Sequence, residues 1–322
     1  MDVRRAPGLL VIAGALAVLG MPAAASAAFP GENGRIAFKW FELREDELAL
    51  DPSTVKHSID VARPGGQGRR SLRFCEEVDG QPGSGDCSIE YLSPAWSPDG
   101  KRLAFDAGTR LAVMRSDGTG FRLLPQVTVN DGEPAWSPDG RRLVLTGPPP
   151  SGGRNDLHVL ELASGEPYRL TSDGGRSPAW SSRNRIAFTR GGSMDRPGTG
   201  ATYTIRPGGG GLRLLARRAS DPSWSPGGIR LVVVRPKRRL TSLWVVRADG
   251  SGLRRMVTPG ADDPERPCWS PDGRQIAYTG FGGTLVAQRL RDRRIREVVR
   301  GASGAEYSFA ASSPDWQPLP RR

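Results

Sequence analysis

Histidine is nearly absent: His57 and His158 are the two imidazoles in 322 residues. Neither has a second His or a Cys at ligand spacing. That excludes a histidine-built zinc centre and the HExxH helix, and leaves each an ordinary structural or surface role. A GxSxG nucleophile elbow and a Walker phosphate loop are missing too, so no ready-made hydrolase or nucleotide site is on offer. Lysine is scarce, four of the 46 basic residues, and the formal charge of +12 therefore rests on arginine. Against these absences stand 42 glycines and 28 prolines, a composition that disfavours long helices and favours a turn-rich, all-β chain.

Long apolar runs are limited to one, Leu9 to Met21, preceded by Arg4 and Arg5 and followed by the small residues Ala23 to Ala28. This is the pattern of a secretory signal over residues 1–27, which leaves 28–322 as a single exported domain, periplasmic or secreted. The run is short for a bilayer span and no second one follows, so no transmembrane segment is expected. Export also sets nucleic acid aside as the reason for the basic charge, leaving solvated faces or an acidic partner such as a cell-wall polymer or anionic lipid. Three cysteines suit an oxidising compartment. Cys75 and Cys87 are placed to close a short loop, a bridge worth about 3 kcal/mol; the alternative is two free thiols.

What is present in quantity is one motif. Pro94 to Phe105 reads PAWSPDGKRLAF, Pro134 to Leu145 PAWSPDGRRLVL and Pro267 to Tyr278 PCWSPDGRQIAY, with weaker copies at Pro178 to Phe188 and Pro222 to Val233 and a truncated one, PDWQP, at Pro314 to Pro318. Trp96, Trp136, Trp180, Trp224, Trp269 and Trp316 recur every 40 to 47 residues, the length of a four-stranded propeller blade. Within a period, Ser-Pro-Asp-Gly supplies the first turn, with Pro fixing φ and Gly accepting a left-handed conformation. Asn184 takes that left-handed position in one copy, and Gly227-Gly228 replaces Asp-Gly in another. Asp99, Asp139 and Asp272 are turn residues on this reading, not metal ligands. The residue before each Trp is Ala, Ala, Ala, Ser, Cys or Asp, so a large side chain is expected to meet a small one around a ring, with Cys268 as a packing residue.

The two ends complete each other. Gly31 to Phe38 reproduces the turn and second strand of the motif without an inner strand, and Pro314-Asp315-Trp316 supplies an inner strand without the rest. A six-bladed β-propeller of four-stranded antiparallel blades follows, its first blade closed by the C-terminal strand. The first blade is overlong, with insertions at about 41–57, read as a short helix or lid, and 75–92, a Gly-rich loop; each is either a binding-face insertion or a tolerated surface loop.

The string AWSPDGKRLAF followed by LAVMRSDGTGFRLL resembles the TolB-like propeller repeat, a relative of the WD-repeat, and the resemblance runs in register from about Gly31 to Pro318. It implies an extracytoplasmic propeller used for protein contacts.

The residues just before each inner strand, Ser93, Glu133, Ser177, Asp221, Arg266 and Ser313, are expected to rim one mouth of the central channel. They are the candidate binding set, or else solvated loop ends; no catalytic residue, metal ligand or cofactor is assigned. Three functions compete. The first is a monomeric, non-catalytic scaffold binding an envelope or extracellular protein or peptide. The second is a channel-mouth enzyme of the lactonase or sugar dehydrogenase type, and the third a basic wall-associated binding protein.

Overall fold

Each repeat begins with a turn that its own side chains close. The Ser97 hydroxyl donates to Asp99 and accepts the Arg102 N–H at 2.9 Å, while Asp99 Oδ1 accepts the Lys101 N–H at 3.1 Å. Ser137 with Asp139 and Ser270 with Asp272 repeat the arrangement. Asn184 has φ of 55° and Gly228 of 63°, as their places in the variant turns require. These turns fix the hairpin register in successive sheets.

The computed structural model describes residues 28–44, 56–74, 91–108, 110–128, 132–148, 154–192, 199–237, 240–256, 263–303 and 307–320. Among them lie six antiparallel sheets. Blade II comprises Tyr91–Trp96, Arg102–Ala107, Arg110–Arg115 and Arg122–Thr128. Blade III comprises Ala135–Trp136, Arg142–Gly147, Asp156–Glu161 and Pro167–Arg169. Blades IV, V and VI repeat the order from inner strands Arg176–Trp180, Ser220–Trp224 and Glu265–Trp269. Each inner strand neighbours those of the blades before and after it, and the set closes into a ring.

Blade I is the seam. Its inner strand, Tyr307–Leu319, comes from the C-terminal end and pairs antiparallel with Glu32–Arg44, Ile36 opposite Trp316 and Ala37 opposite Asp315. Lys56–Ala62 and Arg70–Phe74 lie outside these, and a two-residue strand, Ala302–Ser303, is added on the other side. Of the first insertion, Phe41 to Arg44 and Lys56 to His57 extend the hairpin as strand, Phe41 opposite His57. Residues 45–55 and 75–90, and with them Cys75 and Cys87 and their possible bridge, lie outside the described residues, as do residues 1–27, expected from the sequence to be a signal.

The six motif tryptophans are at most 4% exposed, and each packs against the blade before its own. Trp136 shares a cluster with Ala95, Trp180 with Ala135, Trp224 with Ala179, and Trp316 with Cys268. Trp136 Nε1 donates to the Ala95 carbonyl at 2.9 Å and Trp224 Nε1 to that of Ala179 at 3.1 Å, so the small residue lets an indole reach the neighbouring backbone. Burying an indole removes roughly 200 Å² of surface, on the order of 5 kcal/mol before ordering costs. Arg102 and Arg142 extend the same contact outward, their guanidinium groups 4.6 and 5.1 Å from the ring centroids of Trp136 and Trp180.

Candidate functional site

The six residues expected at the channel mouth form a repeated structural position of their own. All adopt left-handed backbone: φ is 54° at Ser93, 41° at Glu133, 50° at Ser177, 50° at Asp221, 51° at Arg266 and 52° at Ser313. None is glycine or asparagine, so each holds a strained conformation. In five of the six blades the inner strand slips its register at this point, between Leu92 and Ala95 and between Arg176 and Ala179 for example, a bulge ahead of the motif proline, whereas Glu133 precedes the two-residue inner strand of blade III. The sequence reading has them rim a channel mouth, as a binding set or as solvated loop ends; the structure buries all six, none more than 7% exposed.

Burial forces polar partners on them. Ser177 Oγ lies 3.1 Å from Glu133 Oε1 and 3.2 Å from Asp221 Oδ1, joining blades III, IV and V. Glu133 Oε2 accepts the Ser177 N–H and, at 2.9 Å, the Thr146 hydroxyl. The Ser220 hydroxyl donates to Asp221 Oδ2 at 2.9 Å, and Arg266 Nη1 donates to Ser313 Oγ at 3.1 Å, linking blades VI and I. Ser93 is buried at the same place in blade II.

A serine hydroxyl carries one proton, yet Ser177 sits between two carboxyls. A chain in which protonated Glu133 donates to Ser177 Oγ and Ser177 donates to Asp221 satisfies both contacts. The electrostatics favour that arrangement. Burial pushes the Glu133 carboxyl well above the usual range, helped by the charges of Asp221 and Asp106 and opposed by the Ser177 N–H and Thr146 hydroxyl. Burial also raises Asp221, against Ser220, Arg176, Arg266 and Ser177, and raises Glu265, against Arg266.

A second ring supports the first and escaped the sequence reading. Asp106 Oδ2 accepts the Glu133 N–H at 3.3 Å and Thr189 Oγ1 the Asp221 N–H at 3.1 Å. Asp106, Thr146, Thr189, Val234 and Thr279 hold one position in the repeat, just after the apolar core of the second strand. Aligning the copies reveals a polar residue in four of these five, where the apolar alternation predicts a buried apolar one; Val234 is the exception.

The other candidates stand apart. His158 lies on the third strand of blade III, its pKa lowered by burial against the neighbouring Asp156 charge. His57 lies buried in the blade I hairpin beside Phe41, ring centroids 6.5 Å apart. Cys268 is buried in the blade I–VI core. Among the described residues no three His, Cys, Asp or Glu gather as a metal cage, and no helix is long and apolar enough to cross a membrane.

The described chain is thus an all-β, six-bladed propeller closed by its C-terminal strand. Its fold is the TolB-like propeller. TolB from Acinetobacter baumannii superposes with a TM-score of 0.66 at 19% identity over 90% of this chain and 68% of its own, and a TolB of Agrobacterium tumefaciens with 0.62 at 14% over 89% and 100%. An oligogalacturonate lyase in complex with manganese shares the fold at 0.53 and 14% identity, over 78% and 74%. In sequence, the Tol-Pal system protein TolB of Gluconobacter oxydans is 33% identical over 107 residues, a match spanning 30% of this chain and 23% of that relative's length. No family model matches.

Proposed function

We propose that this chain is an exported, non-catalytic propeller that binds a protein or peptide in the cell envelope or outside the cell. The observation that carries the reading is the internal use of the channel-ring polar groups: Glu133, Ser177, Asp221, Arg266 and Ser313 are buried and hydrogen-bonded across blade boundaries, where they hold the ring together. Recognition then falls to the two faces and their loops. Residues 1–27 act as the export signal and 28–322 as the binding domain. The likeness to a protein named for the Tol-Pal system supports a role in protein assembly.

The test is cross-linking of the tagged full-length chain in its native cells, followed by mass spectrometry of the purified adduct. One dominant protein partner is expected, retained in Glu133→Gln. Turnover of a lactone or an acidic glycan by the purified chain, lost in Glu133→Gln while melting is preserved, would overturn the reading in favour of an enzyme using the Glu133–Ser177–Asp221 chain as a proton path.

A further inference from the structure

Most arginines with an acidic neighbour are neutralised locally: Arg69 by Asp60 at 2.7 Å, Arg169 by Asp156, Arg300 by Glu297 at 3.1 Å. Other arginines are held by carbonyls instead, Arg183 by that of Gly227 and Arg102 by that of Gly140 for example, and one sector gathers several of this kind. Where blades IV and V meet, on the face bearing the blade-to-blade connections, Arg190, Ala201 and Arg217 share one rung of the blade IV sheet. Two strand spacings put the flanking arginine backbones about 10 Å apart. Arg218 follows directly, and Arg235 of the second strand of blade V donates to its carbonyl at 3.2 Å.

Three guanidinium groups of the sector, those of Arg176, Arg190 and Arg235, have neutral partners. Arg176 donates to the Gly191 carbonyl at 2.7 Å, and Arg190 to that of Gly174 at 3.3 Å while lying 5.1 Å from the Tyr203 ring centroid. Arg235 lies 4.6 Å from the Trp244 ring centroid. Carbonyls and ring faces orient a guanidinium without cancelling its charge. Among the described residues the sector has one ion pair, Arg190 to the exposed Asp173 at 3.9 Å. Asp263 and Glu265 border it on the blade VI side, Asp263 accepting the Thr241 N–H at 2.7 Å. The blade V hairpin then projects Lys237 opposite Leu240, an apolar side chain 41% exposed.

We infer that this arginine sector of blades IV and V is a docking surface for an acidic segment of a partner protein. Charge complementarity sets the sign of the partner, and the exposed Leu240 opposite Lys237 favours a peptide carrying both carboxylates and apolar side chains over a uniformly charged polymer. The inference rests on the scaffold reading and assigns it a place.

The test measures binding of a labelled synthetic peptide of alternating glutamate and leucine to the full-length chain, with heparin and polyglutamate as competitors. The variant Arg217→Glu/Lys237→Glu is compared with Arg122→Glu/Arg296→Glu, which removes the same charge from exposed positions on other blades. Binding at least about tenfold weaker in the first and near wild type in the second is expected, with both melting as wild type. Equal weakening in both variants would reduce the effect to net charge and overturn the inference. Heparin binding tighter than the peptide, lost in the first variant, would overturn it in favour of an anionic polymer. In the cellular cross-linking test, a partner captured equally by Arg217→Glu/Lys237→Glu would sink the sector and leave the scaffold standing, whereas no partner for either chain would sink the scaffold.

Discussion

Glu133 has the most distinct pH signature of any residue in the ring. Burial first, then the charges of Asp221 and Asp106, raise its pKa above the ordinary 4.5, so in the window above that value the folded chain keeps a proton the unfolded chain has lost. The stability this provides is complete below the unfolded value and is lost as pH rises through the folded one; Asp221 and Glu265 act in the same direction. Glu133→Gln keeps the shape and a donor but cannot ionise. Its melting temperature relative to wild type is therefore expected to rise by a few degrees between about pH 5 and pH 8. A difference that stays flat across that range, measured by calorimetry, would remove the proton from the Glu133–Ser177–Asp221 chain. The six positions were legible in the sequence as a set, because each precedes a motif proline. Their left-handed backbone was not, since Ser, Glu and Arg carry no conformational signal for it and the preference of Asp bears on Asp221 alone. Asp315 gives a second expectation: it accepts the Trp96 N–H at 2.6 Å, where Ser223 accepts that of Trp269 at 3.3 Å. Asp315→Ala leaves a buried donor unpaired and is expected to cost about 1–3 kcal/mol, and Asp315→Ser to recover part of it; denaturant melts of both variants decide.

At the scale of the element, the repeat makes two glycines chemically equivalent and the seam makes them different. Gly100 and Gly140 close the same turn with φ of 67° and 66°. A Cβ at Gly140 would come 3.3 Å from the end of the Arg102 side chain, which can move, whereas at Gly100 it would lie 2.1 Å from the Pro318 carbonyl, which cannot. Gly140→Ala is expected to cost the left-handed penalty, about 1–2 kcal/mol. Gly100→Ala adds a backbone collision and is expected to cost clearly more, read as the gap between the two melting midpoints; equal midpoints would mean the tail does not press on the blade II turn. The turns and second strands were readable from Ser-Pro-Asp-Gly and the apolar alternation, because those signals are local. The extended blade I hairpin was read as a helix or lid, since its charged stretch carries no strand periodicity and only pairing with the C-terminal strand reveals Phe41 to Arg44 as β.

For the whole molecule, closure is the property on which the other contacts depend. The final strand gives blade I its inner edge, seats Trp316 against Cys268 and Ala277 of blade VI, and presents Asp315 to Trp96 of blade II. Gln317 ties in the same place, its Nε2 donating to the Gly100 carbonyl at 2.8 Å and its Oε1 accepting the Arg35 N–H at 3.1 Å. Three blades therefore lose partners when one segment is removed. Deleting Ser313 to Arg322 is expected to lower the melting temperature sharply and to expose the edge of Glu32–Arg44 to association with other chains. Misfolding alone would give the same drop, so the discriminating step is to add the missing piece back. A synthetic peptide of residues 313–322, mixed with the truncated chain, should raise its melting temperature in proportion to the logarithm of peptide concentration, because it binds the folded ring and not the unfolded chain. The same peptide with Trp316→Ala and Asp315→Ala should fail to do so. Truncation without effect on melting, or rescue that ignores those two side chains, would mean the ring is held shut by something other than the pairing of its ends.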